Sequence, residues 1–533
     1  MNAAKPGDWV LIAPGDYKTT TSSAPAGENG EFPAGVLITT PRIVVRGMNR
    51  DTVIVDGTKP GTPPCSDGVN DQSYGATTTQ GSTGLNGLMV WKADNVWIQN
   101  LTACNFLGGA GGDGQTGNEI WWNGGAESGA VGGWGYYGSY LNATSTFYNT
   151  AQTPLQAEAT AAEYGIFSSN WNGGTWDNTY ASNFNDSGYY IGACQDECNQ
   201  VVDHAWAEYN ALGYSGSNSG GSLVVENSQF DNNEDGFDTN SQNGDNPPPQ
   251  DGTCPDGTTS PITHTHSCWV FMNNNVHDNN DPNVPTAGFA AAGPVGTGMS
   301  LSGARDDTVM DNTFANNGAW GNIVVPFPTS GAPCTGGVTT FPAVGCLFDE
   351  WGDAIVDNHY VHNGYFGNPT NGDFEQFNFE SGEPTNCFSG NTDAAGSLPS
   401  EDQQLQSSYP VCNGAHVAAN LSPGFLLQVA CDSGLALVGS LSVPCLPGTS
   451  YPRFTSLQNG LHPLPPASAL PTMPHVCAGV PANPWCQGQT VRVGGCAAAT
   501  TTLKLSVPVG ESFTGVVVDG KRYAAHGSSV RMR

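Results

Sequence analysis

The chain has 533 residues, and its 71 Gly, 37 Pro and 15 Cys argue against a helix-rich globule and for a turn-dominated one. With 47 Asp+Glu against 15 Lys+Arg the formal net charge is −32, which excludes nucleic acid as a partner because phosphate binding runs on Lys and Arg. A hydrophobic content of 38%, with 13 Trp, 17 Tyr and 21 Phe, excludes a disordered chain and supplies a sizeable core.

The first predicted element is a strand at Asp8-Trp9-Val10-Leu11-Ile12, set between the turns Pro6-Gly7 and Pro14-Gly15. No basic region followed by an apolar stretch precedes it, so an export signal and an N-terminal cap are expected upstream of Met1. No apolar run approaches the roughly 20 residues of a membrane helix, and no membrane span is expected. Further on, Gly165, Gly188, Gly213 and Gly236 open similar segments of about two dozen residues. Inside these units a second mark recurs: Asp177-Asn178, Asp203-His204, Glu226-Asn227, Asn273-Asn274, Asp311-Asn312 and Asp357-Asn358. Each is followed by Asn185, Asn210, Asn233, Asn280, Asn317 or Asn363, and between the marks lie short alternations such as Leu223-Val224-Val225 and Ala354-Ile355-Val356. Each repeat is therefore several short strands joined by turns, with Gly and Asn expected in left-handed corners.

A unit of that size cannot bury its own apolar face, so neighbours must stack into a parallel solenoid, with Asn side chains bonding from coil to coil. The expected organisation is all-β, with a parallel β-helix over residues 1–380, a Cys/Pro-rich cap or wrap over 381–500, and terminal strands over 501–533. Leu503-Lys504-Leu505-Ser506-Val507 and Val516-Val517-Val518 supply the last of these. The period lapses at 58–85, 106–160, 241–266 and 326–345, which are expected to be loop insertions on one flank. The cysteine usage fits an oxidising setting, secreted or at the cell surface, with Cys194–Cys198, Cys254–Cys268 and Cys334–Cys346 as candidate bridges.

The opening Pro-Gly-Asp-x-Val-x-Ile-x-Pro-Gly-x-Tyr pattern and the Asn-x-x-Phe/Tyr-x-x-Asn coils resemble the right-handed parallel β-helix superfamily of pectate-lyase-like proteins. That resemblance implies the fold and leaves the activity open among lyases, hydrolases, epimerases and non-catalytic surface proteins. Between Lys92 and Arg305 there is no Lys or Arg, so most of the coil stack is electronegative and would repel acidic polymers unless divalent cations intervene. The densest acidic group, Glu234-Asp235-Gly236-Phe237-Asp238, places hard oxygen ligands around a turn glycine. It resembles the calcium-binding Asp-Asp-Gly-Phe-Asp turn of the family nine pectate lyases, which implies Ca²⁺ on Glu234, Asp235 and Asp238. Where that family has its catalytic lysine this chain has Ser300, and Ala211-Leu212-Gly213 stands where another acidic ligand is expected. A lyase mechanism then falls to Arg305 as base.

A hydrolase needs two carboxyl groups across a cleft, for which Asp235 and Asp238 are the first candidates and Asp203 and Asp278 the reserves. His264, His266 and Cys268 share one face of an extended strand and form a candidate soft-metal set, opposed by Cys254 as a disulfide partner for Cys268. Trp121, Trp122, Trp134 and Tyr136 are candidate sugar-stacking platforms, or else lids over the solenoid flank. No phosphate-cradling or dinucleotide motif is present in the required context. Two readings follow: a secreted protein that binds and cleaves a polysaccharide, with Ca²⁺ as candidate cofactor, and a non-catalytic extracellular or cell-surface β-helix.

Overall fold

The computed structural model describes residues 1, 3–19, 22–28, 31–79, 81–109, 115–125, 130–149, 160–195, 197–243, 247–286, 293–329, 334–338, 345–379, 384–396, 399–401, 404–412, 422–434, 445–457 and 461–486. It also describes the backbone of 515–518 and 521–524. The chain is a right-handed parallel β-helix, as its repeats predict. One face is a sheet of ten parallel strands, from Ala34–Ile38 through Ser187–Gly192 and Leu212–Ser217 to Gly372–Gln376. The other two faces are formed by nine-residue strands such as Gly174–Ser182 and Gln200–Glu208, which divide in later coils into pairs such as Leu223–Glu226 and Gln229–Asp231.

Strand registers place like with like. Val45, Ile98, Gly138, Trp176, Val202, Val225, Phe271, Val309, Ile355 and Phe388 form one inward column of buried positions. Gly138 is small because its neighbours are large: a Cβ there would lie 2.9 Å from both Trp122 and Trp176 ring atoms.

The corner between the second and third faces is a column of left-handed residues: Asn100, Tyr140, Asn178, His204, Asn227, Asn273, Asp311 and Asp357. Asn, Asp and His accept that conformation more readily than most side chains. The residue after each corner points inward, and in the later coils it is an asparagine that binds the next rung. Asn274 N donates to Asn312 Oδ1 at 2.9 Å, Asn312 N to Asn358 Oδ1 at 3.0 Å, and Asn358 N to Asn391 Oδ1 at 3.0 Å. Gln406 on the short helix Leu405–Ser408 accepts from Asn391 N and ends this ladder. A second ladder runs through Asn210, Asn233, Asn279, Asn317 and Asn363 at the next corner. Asn279, not Asn280, holds the rung there, because Asp278 takes the left-handed corner one residue earlier; likewise Phe184, not Asn185, precedes Asn210 in the column.

The repeated glycines have a different cause from the one their sequence suggests. Gly165, Gly188, Gly213 and Gly236 are absent from the left-handed positions among the described residues. They instead form a column with Gly298 and Gly321 in which the following rung approaches too closely for a side chain. A Cβ on Gly213 would lie 2.3 Å from the Gly236 carbonyl oxygen, and one on Gly298 would lie 2.4 Å from that of Gly321.

The 106–160 segment, expected as an insertion, carries the coil strands Ile120–Asn123 and Tyr136–Thr144 in full parallel register. Its glycine-rich flanks mask them in the sequence. The coils continue past 380 to Cys387–Ser389 and Thr392–Asp393.

Beyond the coils, the helix Pro423–Asp432 packs Phe425 and Val429 against Trp320, Ile323 and Val325 on the outside of the ten-stranded face. The chain then returns along the stack. Ser450 meets Asn368, Thr455 meets Asn283, His462 meets Asn183, Pro471 meets Arg50, and Val476 with Ala478 meets Arg46. Gly515–Val518 finally pairs in parallel with Asp8–Ile12 of the first coil. The expected strand at 503–507 lies outside the described residues. Seven disulfides join described residues: the three expected pairs, plus Cys65–Cys104, Cys387–Cys412, Cys431–Cys445 and Cys477–Cys486. Among the described residues no helix is long and apolar enough to cross a membrane.

Candidate functional site

The outward column of the ten-stranded face changes character along the stack. It begins with Met89, Trp121, Phe167 and Tyr190, becomes polar at Ser215, Asp238 and Ser300, and turns apolar again at Ile323. The predicted acidic corner lies in this polar interval. Asp235 is fully buried, accepting from Ser300 Oγ at 2.8 Å and from Phe237 N at 3.3 Å. Asp238 accepts from Ser302 Oγ at 3.0 Å and Asn240 Nδ2 at 2.5 Å. Burial pushes the Asp235 and Glu234 carboxyls well above the carboxylate range, and raises Asp238 to about 6. Ser300, which stands where the resembled family has lysine, is thus a hydrogen-bond donor to Asp235.

Glu234, Asp235 and Asp238 share a corner without gathering their oxygens into a ligand set. Among the described residues only two sets of three, Asp177, Asp203 and His204, and Asp56, Cys65 and Cys104, bring their ligand atoms within 4.8 Å of one another. The two cysteines of the latter group are bonded to each other. Arg305 lies at the corner after the strand Thr297–Ser302, its guanidinium 3.6 Å from the Trp351 ring centroid and donating to the Gly336 carbonyl. Its charge holds the neighbouring loop. Cys268 is bonded to Cys254, which removes the thiolate from the His264–His266 metal set. Asp278, the other reserve carboxyl, pairs with His277 Nδ1 at 2.8 Å.

The four predicted aromatic platforms separate by burial. Trp122 and Tyr136 are corrected to core residues: their strands turn these rings inward, where they stack at 4.7 Å, and Tyr136 Oη bonds Gln200. Trp121 points outward but is covered, stacked on Phe167 at 4.7 Å with its Nε1 donating to Ser169. Trp134, 53% exposed, is open to a ligand.

Trp134 sits at the corner that opens the second face, beside Asn95 and paired in register with Asn172. On that face Trp97 and Tyr137 are half-buried neighbours with ring centroids 5.5 Å apart. The column beside them reads Arg46, Gln99, Ser139, Asp177, Asp203, Glu226 in successive coils. Its first three members are buried and linked, Arg46 to Gln99 and Gln99 to Ser139, under the returning segment near Val476. Its last three are carboxylates that reach solvent. Tyr137 Oη donates to Asp177 at 3.1 Å, Asn227 Nδ2 to Asp203 at 3.0 Å, and His204 Nδ1 lies 2.6 Å from Asp203. Partial burial raises Asp177 and Glu226, and the charge of Asp203 between them adds to both shifts. Sequence reading reached this column only through Asp203, and through its corner residues as structural marks. That Asp177 and Glu226 flank Asp203 follows from strand register, which the repeat spacing contains.

The sequence matches no family model and no curated protein. Solved structures similar to it include the A-module of the mannuronan C-5 epimerase AlgE4 of Azotobacter vinelandii, at 10% identity over 73% of this chain and 87% of that one, TM-score 0.41. The tailspike protein of Escherichia coli bacteriophage HK620, solved with a pentasaccharide, is similar at 11% identity over 67% of this chain and 49% of that one, TM-score 0.34. The PL6 family polysaccharide lyase Pedsa3628 of Pseudopedobacter saltans is similar at 10% identity over 79% and 88%, TM-score 0.34. The strand registers described above, rather than these likenesses, establish the fold.

Proposed function

We propose that the chain is an extracellular polysaccharide-binding β-helix protein that engages glycan on its second face, from Trp134 across Tyr137 to the Asp177–Asp203–Glu226 column. The observation that supports this most is the open carboxylate column beside exposed and half-exposed rings. Rings present flat apolar faces to sugars at low entropic cost, and carboxylates accept from sugar hydroxyls. Seven disulfides suit an extracellular setting. In affinity electrophoresis against a panel of neutral and acidic glycans, Trp134→Ala is expected to weaken binding of the retained glycan roughly tenfold. Unchanged retention on every glycan that binds the parent protein would remove Trp134 from the reading.

Cleavage, where it occurs, is assigned to Asp177 and Asp203. Their carboxylate oxygens lie within 4.8 Å of each other, on the side of the short separation of about 5 Å used by double-displacement glycosidases. The raised Asp177 suits the proton donor, and Asp203, facing His204 and Asn227, suits the nucleophile. Release of reducing ends is expected to fall at least about a hundredfold in both Asp177→Asn and Asp203→Asn, well beyond any loss of glycan retention measured for the same variants. Equal rates in parent and variants would leave a binding protein. The enclosure of Asp235 and Asp238 and the serine at 300 favour that non-catalytic form for the ten-stranded face. Calcium, if used, would have to be recruited at the Asp177–Asp203 column, and a chelator-dependent loss of retention tests it.

A further inference from the structure

The polar interval on the ten-stranded face is enclosed at a cost that a permanent core would avoid. On one side of it the outward column is apolar, through Trp121, Phe167 and Tyr190; on the other, Ile323 packs with Trp320 and Val325 of its own strand before the column reaches the buried Glu375. Between them the buried oxygens Ser215 Oγ, Thr297 Oγ1, Glu234 Oε2 and Asp432 Oδ2 lack hydrogen-bond partners. Each such group costs about 1–3 kcal/mol relative to solvent. Asp432 and the groups packed around it belong to a separate unit of the chain. The helix Pro423–Asp432 is joined by Cys431–Cys445 to the segment that follows; Tyr451 Oη donates to Gln428 at 2.9 Å, and Arg453 donates to the carbonyls of Cys431 and Asp432 at the helix end.

We propose that the helix Pro423–Asp432, with residues 445–453, is a proton-held cover over a latent polar corner formed by Glu234, Asp235 and the Asp235 donor Ser300. One side of the cover is held by apolar contact, with the Phe425 ring 5.7 Å and the Tyr451 ring 6.1 Å from that of Trp320. The other side brings the Asp432 carboxyl, with no exposed side-chain surface, against a corner that is itself acidic. The groups facing Asp432 are Glu234 and Asp235 from the coil corner, Arg453 and Tyr451 from the return segment, and the Val295 N–H from the loop over Asp235. Asp281 adds its charge to Glu234, and Asp238 adds its charge to Asp235. Among the described residues Arg453 is the single cation acting among these acids, so closure leaves negative charge uncompensated when they ionise.

The direction of the pH effect follows from proton counting. Burial and mutual repulsion raise Asp432, Glu234 and Asp235 in the closed form, so that form binds more protons than an open one whose carboxyls titrate near 4. Closure is therefore fully favoured in acid and weakens as the pH rises above the ordinary carboxylate range through the raised values. Hydrogen exchange of the full chain tests it without glycan, so its outcome is separate from that of the binding reading. After correction for intrinsic rates, protection of the amides in Pro423–Asp432 is expected to fall at least roughly tenfold between about pH 5 and about pH 8, while that of Ser187–Gly192 and Leu212–Ser217 holds. Asp432→Asn and Glu234→Gln, each removing one of the facing charges, are expected to reduce that loss to about threefold or less. Constant helix protection in the parent chain, or the parent's full loss in both variants, overturns the proposal.

Discussion

Asn233→Ala is expected to lower the stability of the coil stack by about 4 kcal/mol, among the largest losses any single side chain here can produce. The Asn233 amide is fully buried and makes five bonds to three rungs. Its Oδ1 accepts from Asn210 N and Nδ2, both at 3.0 Å, and its Nδ2 donates to Ala207 O and Asp231 O at 3.1 Å and to Asn279 Oδ1 at 3.0 Å. Alanine removes one side chain but strands groups on the coils above and below, and stranded buried donors cost more than the bonds contributed. Denaturant midpoints measure the loss, and a shift worth less than about 1 kcal/mol would mean that water replaces the amide. Asn233→Asp keeps the acceptor but sets a carboxyl against three carbonyl oxygens, so it is expected to be better tolerated in acid, where that carboxyl can donate.

The second large effect is expected at Gly213→Ala, a loss of about 3 kcal/mol from adding one methyl group. Its Cβ would lie 2.3 Å from the Gly236 carbonyl oxygen and 3.0 Å from Asn233 Nδ2, and the first of these is backbone fixed by the ladder on both sides. The strand can relieve the clash only by opening the spacing between rungs. Gly424→Ala, in the helix where a Cβ meets nothing within 4 Å, is the control and is expected to be neutral or stabilising by up to about 1 kcal/mol. Equal midpoints for the two variants would refute the close-approach explanation of the glycine column.

These two residues also show what was legible in the sequence. The spacing of Gly165, Gly188, Gly213 and Gly236, with asparagines at fixed offsets, was sufficient for a stacked parallel solenoid because both residue types repeat once per coil. It was not sufficient for the reason behind each residue. Left-handed corners are held by Asn, Asp, His and even Tyr140, whereas the repeated glycines answer to crowding between coils, which no local propensity encodes. For the same reason Asn280 looked like a ladder residue although the rung belongs to Asn279: both are asparagines, and only the corner at Asp278 sets the phase. The coil through Ile120–Asn123 and Tyr136–Thr144 was hidden by the glycine-rich stretch around it, and with it the inward orientation of Trp122 and Tyr136. Three disulfides were legible as short loops. Cys65–Cys104, 39 residues apart in sequence, required the stacking itself to bring its halves together. The acidic corner at Glu234–Asp238 was visible as composition, but its enclosure depends on Asp432, nearly 200 residues away in sequence. The Asp177–Asp203–Glu226 column appears only once three separate strands are laid in register.

The return of Gly515–Val518 to the strand Asp8–Ile12 bears on how this protein behaves at high concentration. A stack of parallel rungs has two open ends, each a row of unsatisfied amides and carbonyls that another copy of the same rung fits. Here the outer row of the first rung is already occupied by the chain's own late strand, which in turn pairs antiparallel with Lys521–Ala524. Head-to-tail fibre growth through that end is thereby capped from within the molecule. The protein is expected to stay dispersed for as long as this final stretch remains attached and in place.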